Sequence, residues 1–199
     1  MKTLIIDTSF KYLVIAIYEN NCLLDGLQEH GNSRQSENAI PVIEKLLKKH
    51  NLSLFDMDEL IVTIGPGSYT GVRVGLAIVK TLKTIHPYTI KVLSSLQALA
   101  GKKSCISVID ARSKKVFVGI YQNGKSIKQD ALISIDDFDD YIIEYTNFAV
   151  IGDGVLIDKE VEEACIYQNI FDLKEELAIV EDIHKVVPDY IKEFEVTKK

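Results

Sequence analysis

Apolar positions along the chain fall into two kinds of segment: short runs rich in β-branched residues, and longer stretches in which apolar residues return every three or four positions. "LIID" and "YLVIAIY" read as strands joined by a polar turn, and "CLLDGLQEH" as a third strand. "SENAIPVIEKLLKKH" reads as a helix with Ile40, Ile43 and Leu47 on one apolar stripe, and "ELIVTIG" as a buried strand. "YTGVRVGLAIVKTLKTI" then reads as a second helix, "YTIKVLS" as a further strand and "SLQALAG" as a short helix closed by Gly101. Ser36 or Asn38 is the expected N-cap of the first helix, and Pro41 fits only near its first turn, where a missing N–H costs nothing. In the second helix Val72, Leu76 and Val79 form one apolar stripe and Val74, Ile78 and Ile85 another, leaving a polar ridge through Arg73, Lys80 and Thr84. Such a helix is covered on two sides, by its own sheet and by the preceding helix or a helix of another chain. Gly71 and Gly75, four apart, would admit a close neighbour, so a leucine at 75 is expected to weaken association and leave the fold largely intact.

The pattern also repeats. "IIDTSFKYLVIAIYENN" from Ile5 aligns without a gap on "VIDARSKKVFVGIYQNG" from Val108, with Ile6, Asp7, Lys11, Ile17, Tyr18 and Asn20 recurring as Ile109, Asp110, Lys114, Ile120, Tyr121 and Asn123. Each copy reads as a strand, a polar turn after the aspartate and a second strand, and an offset near half the chain predicts two related α/β domains, at 1–101 and 102–199. The second is the reduced copy, with "SIDDFDDYIIEY", a strand at "NFAVIGDG" and acidic segments such as "DKEVEEA" read as solvated helix faces. "GDG" predicts a strand-to-helix turn with positive φ, and the terminal "PDYIKEF" is expected to dock Tyr190 and Phe194 on the body of the protein.

Composition changes this picture little. The 199 residues, 47% hydrophobic and 26% charged, suffice for one large core or two small ones. No apolar run approaches the roughly 18 residues of a membrane span, and "MKTLIIDTS" meets an aspartate too soon for a signal-peptide core, so a cytoplasmic location without membrane contact is expected. Cys22, Cys105 and Cys165 lack metal-type spacing and are expected as buried, reduced thiols. The net charge of -6 conceals a polarity: 17 Lys/Arg against 10 Asp/Glu through Lys128, and 6 against 19 beyond it. That balance, with no dense basic or aromatic stripe, argues against a free-standing RNA-binding module.

Candidate chemistry centres on "GPGSYTGVRVG". It fails the phosphate-loop template, because Val72 and Arg73 follow Gly71 where Lys and Ser/Thr are needed, and it fails the dinucleotide fingerprint at Thr70. It reads instead as a strand end, a tight turn and a helix start with Ser68 or Thr70 as cap. His30, His50, His86 and His184 show no metal-binding spacing, and neither an HExxH helix nor a Ser/His/Asp set is legible, so neither metal nor hydrolytic centre is expected.

"GPGSYTGVRVG", with "LIIDTS", "SSLQALA", "VIDARSKKVFVGIY", "GDG" and "VPDYIKEF", closely resembles the TsaB (YeaZ) family across nearly the whole chain. The resemblance implies the duplicated fold of actin, Hsp70 and the sugar kinases (ASKHA), in agreement with the repeat. It also implies a non-catalytic role in installing N6-threonylcarbamoyladenosine beside the anticodon of tRNAs reading ANN codons. Partners implied are a catalytic TsaD paralogue, the ATPase TsaE and, through the complex, tRNA, with a homodimer when the chain is alone. The helices at 36–50 and 69–85 match those through which TsaB proteins pack into a four-helix interface, which nominates Ile40, Ile43, Leu47, Gly71, Val72, Arg73, Gly75, Leu76 and Val79 as partner-facing. Asp7, Thr8, Ser9 and Asp110 occupy the positions of ASKHA nucleotide-binding turns, but "DTSFKY" and "DARSKK" carry none of the glycines that close around phosphate, so any contact is vestigial. No cofactor is expected in the isolated chain, and nucleotide only in the complex. Gln35 stands where many TsaB sequences carry histidine. The competing reading is an ASKHA phosphotransferase or ATPase acting on a small substrate, which would require ATP binding by the chain itself.

Overall fold

In the computed structural model, which describes residues 1–31 and 35–191, each half of the chain builds one five-stranded mixed sheet around a strand buried on both faces. In the first half β1 (Lys2–Asp7) pairs antiparallel with β2 (Tyr12–Glu19), and β2 with β3 (Cys22–His30). Helix α1 (Gln35–Lys49) leads to β4 (Glu59–Thr63), parallel to β1, and α2 (Tyr69–Ile85) crosses to β5 (Thr89–Leu93), parallel to β4. The strand order is β3-β2-β1-β4-β5. Helix α3 (Ser95–Ala100), capped by the Ser94 side chain and closed at Gly101, enters the second half.

There β6 (Cys105–Arg112), β7 (Lys115–Gln122), β8 (Lys125–Ser134), β9 (Ala149–Gly152) and β10 (Val161–Glu162) repeat the arrangement in the order β10-β9-β6-β7-β8. Read from the hairpin outward, the two sheets have one topology. This is the duplicated ASKHA-type α/β fold, with Asp7 and Asp110 near the ends of equivalent strands. The second copy is reduced: α4 (Phe138–Tyr141), flanked by two short 3-10 turns, stands in place of α1, and one 3-10 turn at Gly154–Ile157 in place of α2. Helix α5 (Ile166–Leu173) closes the second half.

Among the described residues three apolar clusters form the core. One packs the outer face of the first sheet against α1 and α2, and one packs the outer face of the second sheet. The middle cluster joins Val14, Ala16 and Tyr18 of β2 to α3, α5 and Ile109 of β6, so α3 and α5 lie between the sheets, where Tyr18 stacks on Phe171 at 3.7 Å. No helix among the described residues is long and apolar enough to cross a membrane.

Several local expectations change. Helix α1 begins at Gln35, so Ser36 and Asn38 lie inside it and cannot be its N-cap, and the position before Gln35 lies outside the described residues, as do the side chains of Gln35 and Ser36. Pro41 therefore sits in the second turn, on an exposed stretch where water can satisfy the carbonyl it leaves unpaired. The acidic "DKEVEEA" contains β10, because an edge position beside β9 outweighs helix propensity. Cys105 is buried, but Cys22 and Cys165 are exposed, one beside the β2–β3 turn and one before α5. "GDG" does form a strand-to-helix turn, with Gly152 at φ 103°. The terminal segment returns to α2: Ile183 is buried in the first core, and Lys80 donates to the carbonyl of Val186 at 2.7 Å. Tyr190 lies on α2, and Phe194 falls outside the described residues.

Candidate functional site

The turn after β1 is built from three consecutive polar residues, all of them buried. Asp7 Oδ1 accepts from the amide and hydroxyl of Ser9 at 2.8 and 2.6 Å and from the Thr63 hydroxyl at 2.6 Å. Ser95, at the start of α3, donates to the Ser9 hydroxyl at 2.7 Å, and Thr8 donates to the carbonyl of Gly71 at 2.6 Å. Burial raises the Asp7 carboxyl above the usual range, and the Ser9 and Thr63 donors oppose that shift.

The "GPGSYTG" loop closes over this turn. The amide of Ser68 donates to the carbonyl of Ser9 at 2.7 Å, and the Ser68 side chain caps α2 through the amide of Gly71. A Cβ at Gly67 would fall inside 3.0 Å of the Ser9 carbonyl, and one at Gly71 inside 3.0 Å of the Thr8 carbonyl. Both glycines are therefore required by the chain's own packing. They let the backbone of one turn lie against the backbone of another, and the space at Asp7–Ser9 is filled by the chain itself.

In the second half the Asp110 turn is more open. The amide of Asp110 donates to Asp153 at 2.9 Å, and Asp153 also receives the Lys11 ammonium at 2.9 Å, so the two repeated hairpin turns meet on one carboxylate. Asp7, Thr8 and Ser9 thus share one buried network, and Asp110 belongs to another.

Of the nine partner-facing candidates Ile40 and Arg73 are exposed, and the other seven, Ile43 and Leu47 included, are buried. Ile40, Ile43 and Leu47 line an apolar groove of about 350 Å³ between α1 and α2, completed by Ile78, Leu82 and Leu54, with Ile40 53% exposed. Val72, Leu76 and Val79 are buried in the first core. Gly75 faces Thr8 and Val62, so a leucine there would strike the sheet, and the expectation that it spares the fold is withdrawn. Arg73 is held by its own chain, with its guanidinium 3.6 Å from the Tyr69 ring centroid and donating to the Tyr190 hydroxyl at 2.8 Å. Ile78 and Leu82 were not among the candidates, although Ile78 belongs to the second apolar stripe of α2. Ile78 and Leu82 are themselves buried in the first core, and of the second stripe only Ile85 is exposed, at 57%.

Across the interior between the halves, Asp130 of β8 accepts from the Tyr121 hydroxyl at 2.8 Å and from Ser94 at 3.2 Å. Burial pushes its carboxyl up to about 6, Asp189 adds to the rise, and the Tyr121 and Ser94 donors oppose it. A carboxyl raised in the folded state holds its proton more tightly than the unfolded chain does. The stability it contributes is present in acid and lost as pH rises from about 4 through 6, by about 2–3 kcal/mol. The unfolding free energy of the wild type relative to Asp130→Asn should fall by that amount between pH 4 and pH 7 in urea titrations. Parallel curves would remove the assignment.

A model of the TsaD family, described as tRNA N6-adenosine threonylcarbamoyltransferase, matches residues 29–183. The tRNA threonylcarbamoyladenosine biosynthesis protein TsaB of Bacillus subtilis is 29% identical over 100% of this chain and 97% of its own length. An uncharacterised Mycoplasma pneumoniae protein, the MG208 homologue, is 33% identical over 68% of this chain and 69% of its own. Among solved structures, YeaZ from Pseudomonas aeruginosa superposes with a TM-score of 0.75 at 17% identity, over 96% of this chain and 99% of that one.

Proposed function

This chain belongs to the TsaD family and is a TsaB-type member of it, and from that premise we propose that it serves threonylcarbamoyladenosine biosynthesis in tRNA as a non-catalytic subunit paired with a catalytic TsaD-type protein. TsaE joins the pair, tRNA engages the assembly, and the chain alone forms a homodimer through the same apolar surface, so that the two associations compete. Nucleotide belongs to the complex and not to the isolated chain.

One contrast within the first half supports this reading. The Asp7–Ser9 turn, which nucleotide-binding ASKHA proteins keep open for phosphate, is filled here by the backbone around Gly67 and Gly71, whereas an apolar groove stands open between α1 and α2. A chain that has closed the first and kept the second is suited to binding a helical partner.

Light-scattering mass analysis of the chain alone and mixed with the TsaD-like protein of the same cell tests it. A homodimer that gives way to a mixed complex is expected, and persistent separation with and without nucleotide would sink the proposal. Ile40→Glu places a carboxylate in the groove, and it should weaken pairing about tenfold or more while circular dichroism stays unchanged. Undiminished pairing would move the interface elsewhere.

A further inference from the structure

We propose that the exposed cluster of Tyr69, Arg73 and Tyr190 is a contact for an unpaired stretch of RNA, an inference that rests on the reading of this chain as a tRNA-modification subunit. Tyr18, Tyr88, Tyr121, Phe138 and Tyr141 are buried, yet Tyr69 is 61% and Tyr190 57% exposed. Tyr69 and Arg73 lie one turn apart at the start of α2, and the returning terminal segment brings in Tyr190. That segment is fixed by the Asp189 amide donating to the Ile64 carbonyl at 2.7 Å and by Lys80 at the Val186 carbonyl. The two phenol rings stand 6.3 Å apart at 33°, with the guanidinium 3.6 Å from the Tyr69 centroid.

This arrangement holds flat π-faces and a planar cation in place before any ligand arrives. The Tyr190 and Tyr69 hydroxyls take guanidinium donors, of which an arginine has five, and this leaves others for phosphate. The field favours an anion: the first turn of α2 contains no acidic residue, and the amino end of this 17-residue helix carries partial positive charge. Asp189, next to Tyr190 in the chain, opposes it, and its carboxylate also acts on Asp130 and Tyr121. Splayed bases stack on tyrosine and arginine planes while their phosphates pair with the cation, a combination that single-stranded loops offer and duplexes do not. Exposed tyrosine and arginine can also anchor a protein partner, so the pairing of the same variants is followed beside their RNA binding.

The test is binding of a fluorescent tRNA anticodon stem-loop to the full chain, alone and mixed with the TsaD-like protein, across a salt series. Tyr69→Ala and Tyr190→Ala should each raise the Kd about 5- to 100-fold with the melting temperature unchanged, and Tyr69→Phe, which keeps the ring, should retain most of the binding. Pairing of the same variants with the TsaD-like protein is followed by light scattering. RNA binding that depends on the cluster without any pairing would sink the functional reading and leave this contact standing. Equal RNA binding by wild type and both alanine variants, or no salt-sensitive binding in either setting, overturns the contact. So does a loss of pairing with RNA binding unchanged, which would make the cluster a protein surface.

Discussion

Gly71→Ala should destabilise the protein by about 3 kcal/mol or more, lowering the melting temperature by about 6–12 °C for a chain of this size. The sign separates two accounts of the same residue. In an exposed helix interior, glycine to alanine is stabilising by up to about 1 kcal/mol, because alanine loses less backbone entropy on folding. At Gly71 the added methyl would meet the carbonyl of Thr8 inside 3.0 Å. That neighbour is backbone, fixed by the Asp7–Thr63 and Thr8–Gly71 hydrogen bonds, so no rotamer change relieves it. Scanning calorimetry of the single variant decides the point. An unchanged or higher melting temperature would mean that the α2 amino end does not rest on the β1 turn.

That expectation also shows where reading the sequence reached its limit. Gly71 and Gly75 have the spacing of a close helix crossing, and spacing alone cannot say whether the close neighbour is a helix or a strand end. The amphipathic period of α2 did reveal two apolar stripes, and the structure assigns Val72, Leu76 and Val79 to the sheet and Ile78 to the groove. The ungapped match of Ile5–Asn21 on Val108–Gly124 made the paired hairpins legible, and both form in matching topology. Hairpins are local, and their alternation survives in any context. The reduced connections of the second half were not legible in the same way: "DKEVEEA" has helix-forming composition but supplies an edge strand, a choice made by the free edge of β9. The return of residues 183–190 onto α2 depends on contacts more than a hundred positions away, for which no local pattern exists.

Lys91→Met should cost about 3–5 kcal/mol, comparable to or larger than the effect at Gly71, because it strands a carboxylate inside the molecule. Glu59 of β4 and Lys91 of β5 are both buried and pair at 2.9 Å. Thr3 of β1 donates to the second Glu59 oxygen at 3.0 Å, and Lys91 donates to the carbonyl of Lys174 at 2.7 Å. The network therefore ties three parallel strands to the segment after α5, and Val180 extends that tie by donating to Ile90 at 2.8 Å along the outer edge of β5. Removing the ammonium leaves Glu59 with only the threonine, whereas removing both charges leaves neutral groups whose loss is smaller. Lys91→Met/Glu59→Leu should thus be more stable than Lys91→Met alone, despite the newly unpaired Thr3 hydroxyl, worth about 1–3 kcal/mol, since the Lys174 carbonyl loses its partner in both. Urea titrations of the wild type, the single and the double variant measure both effects. A double variant no better than the single would mean that the hydrogen bonds, and not the buried charge, hold β5 and the α5 segment together.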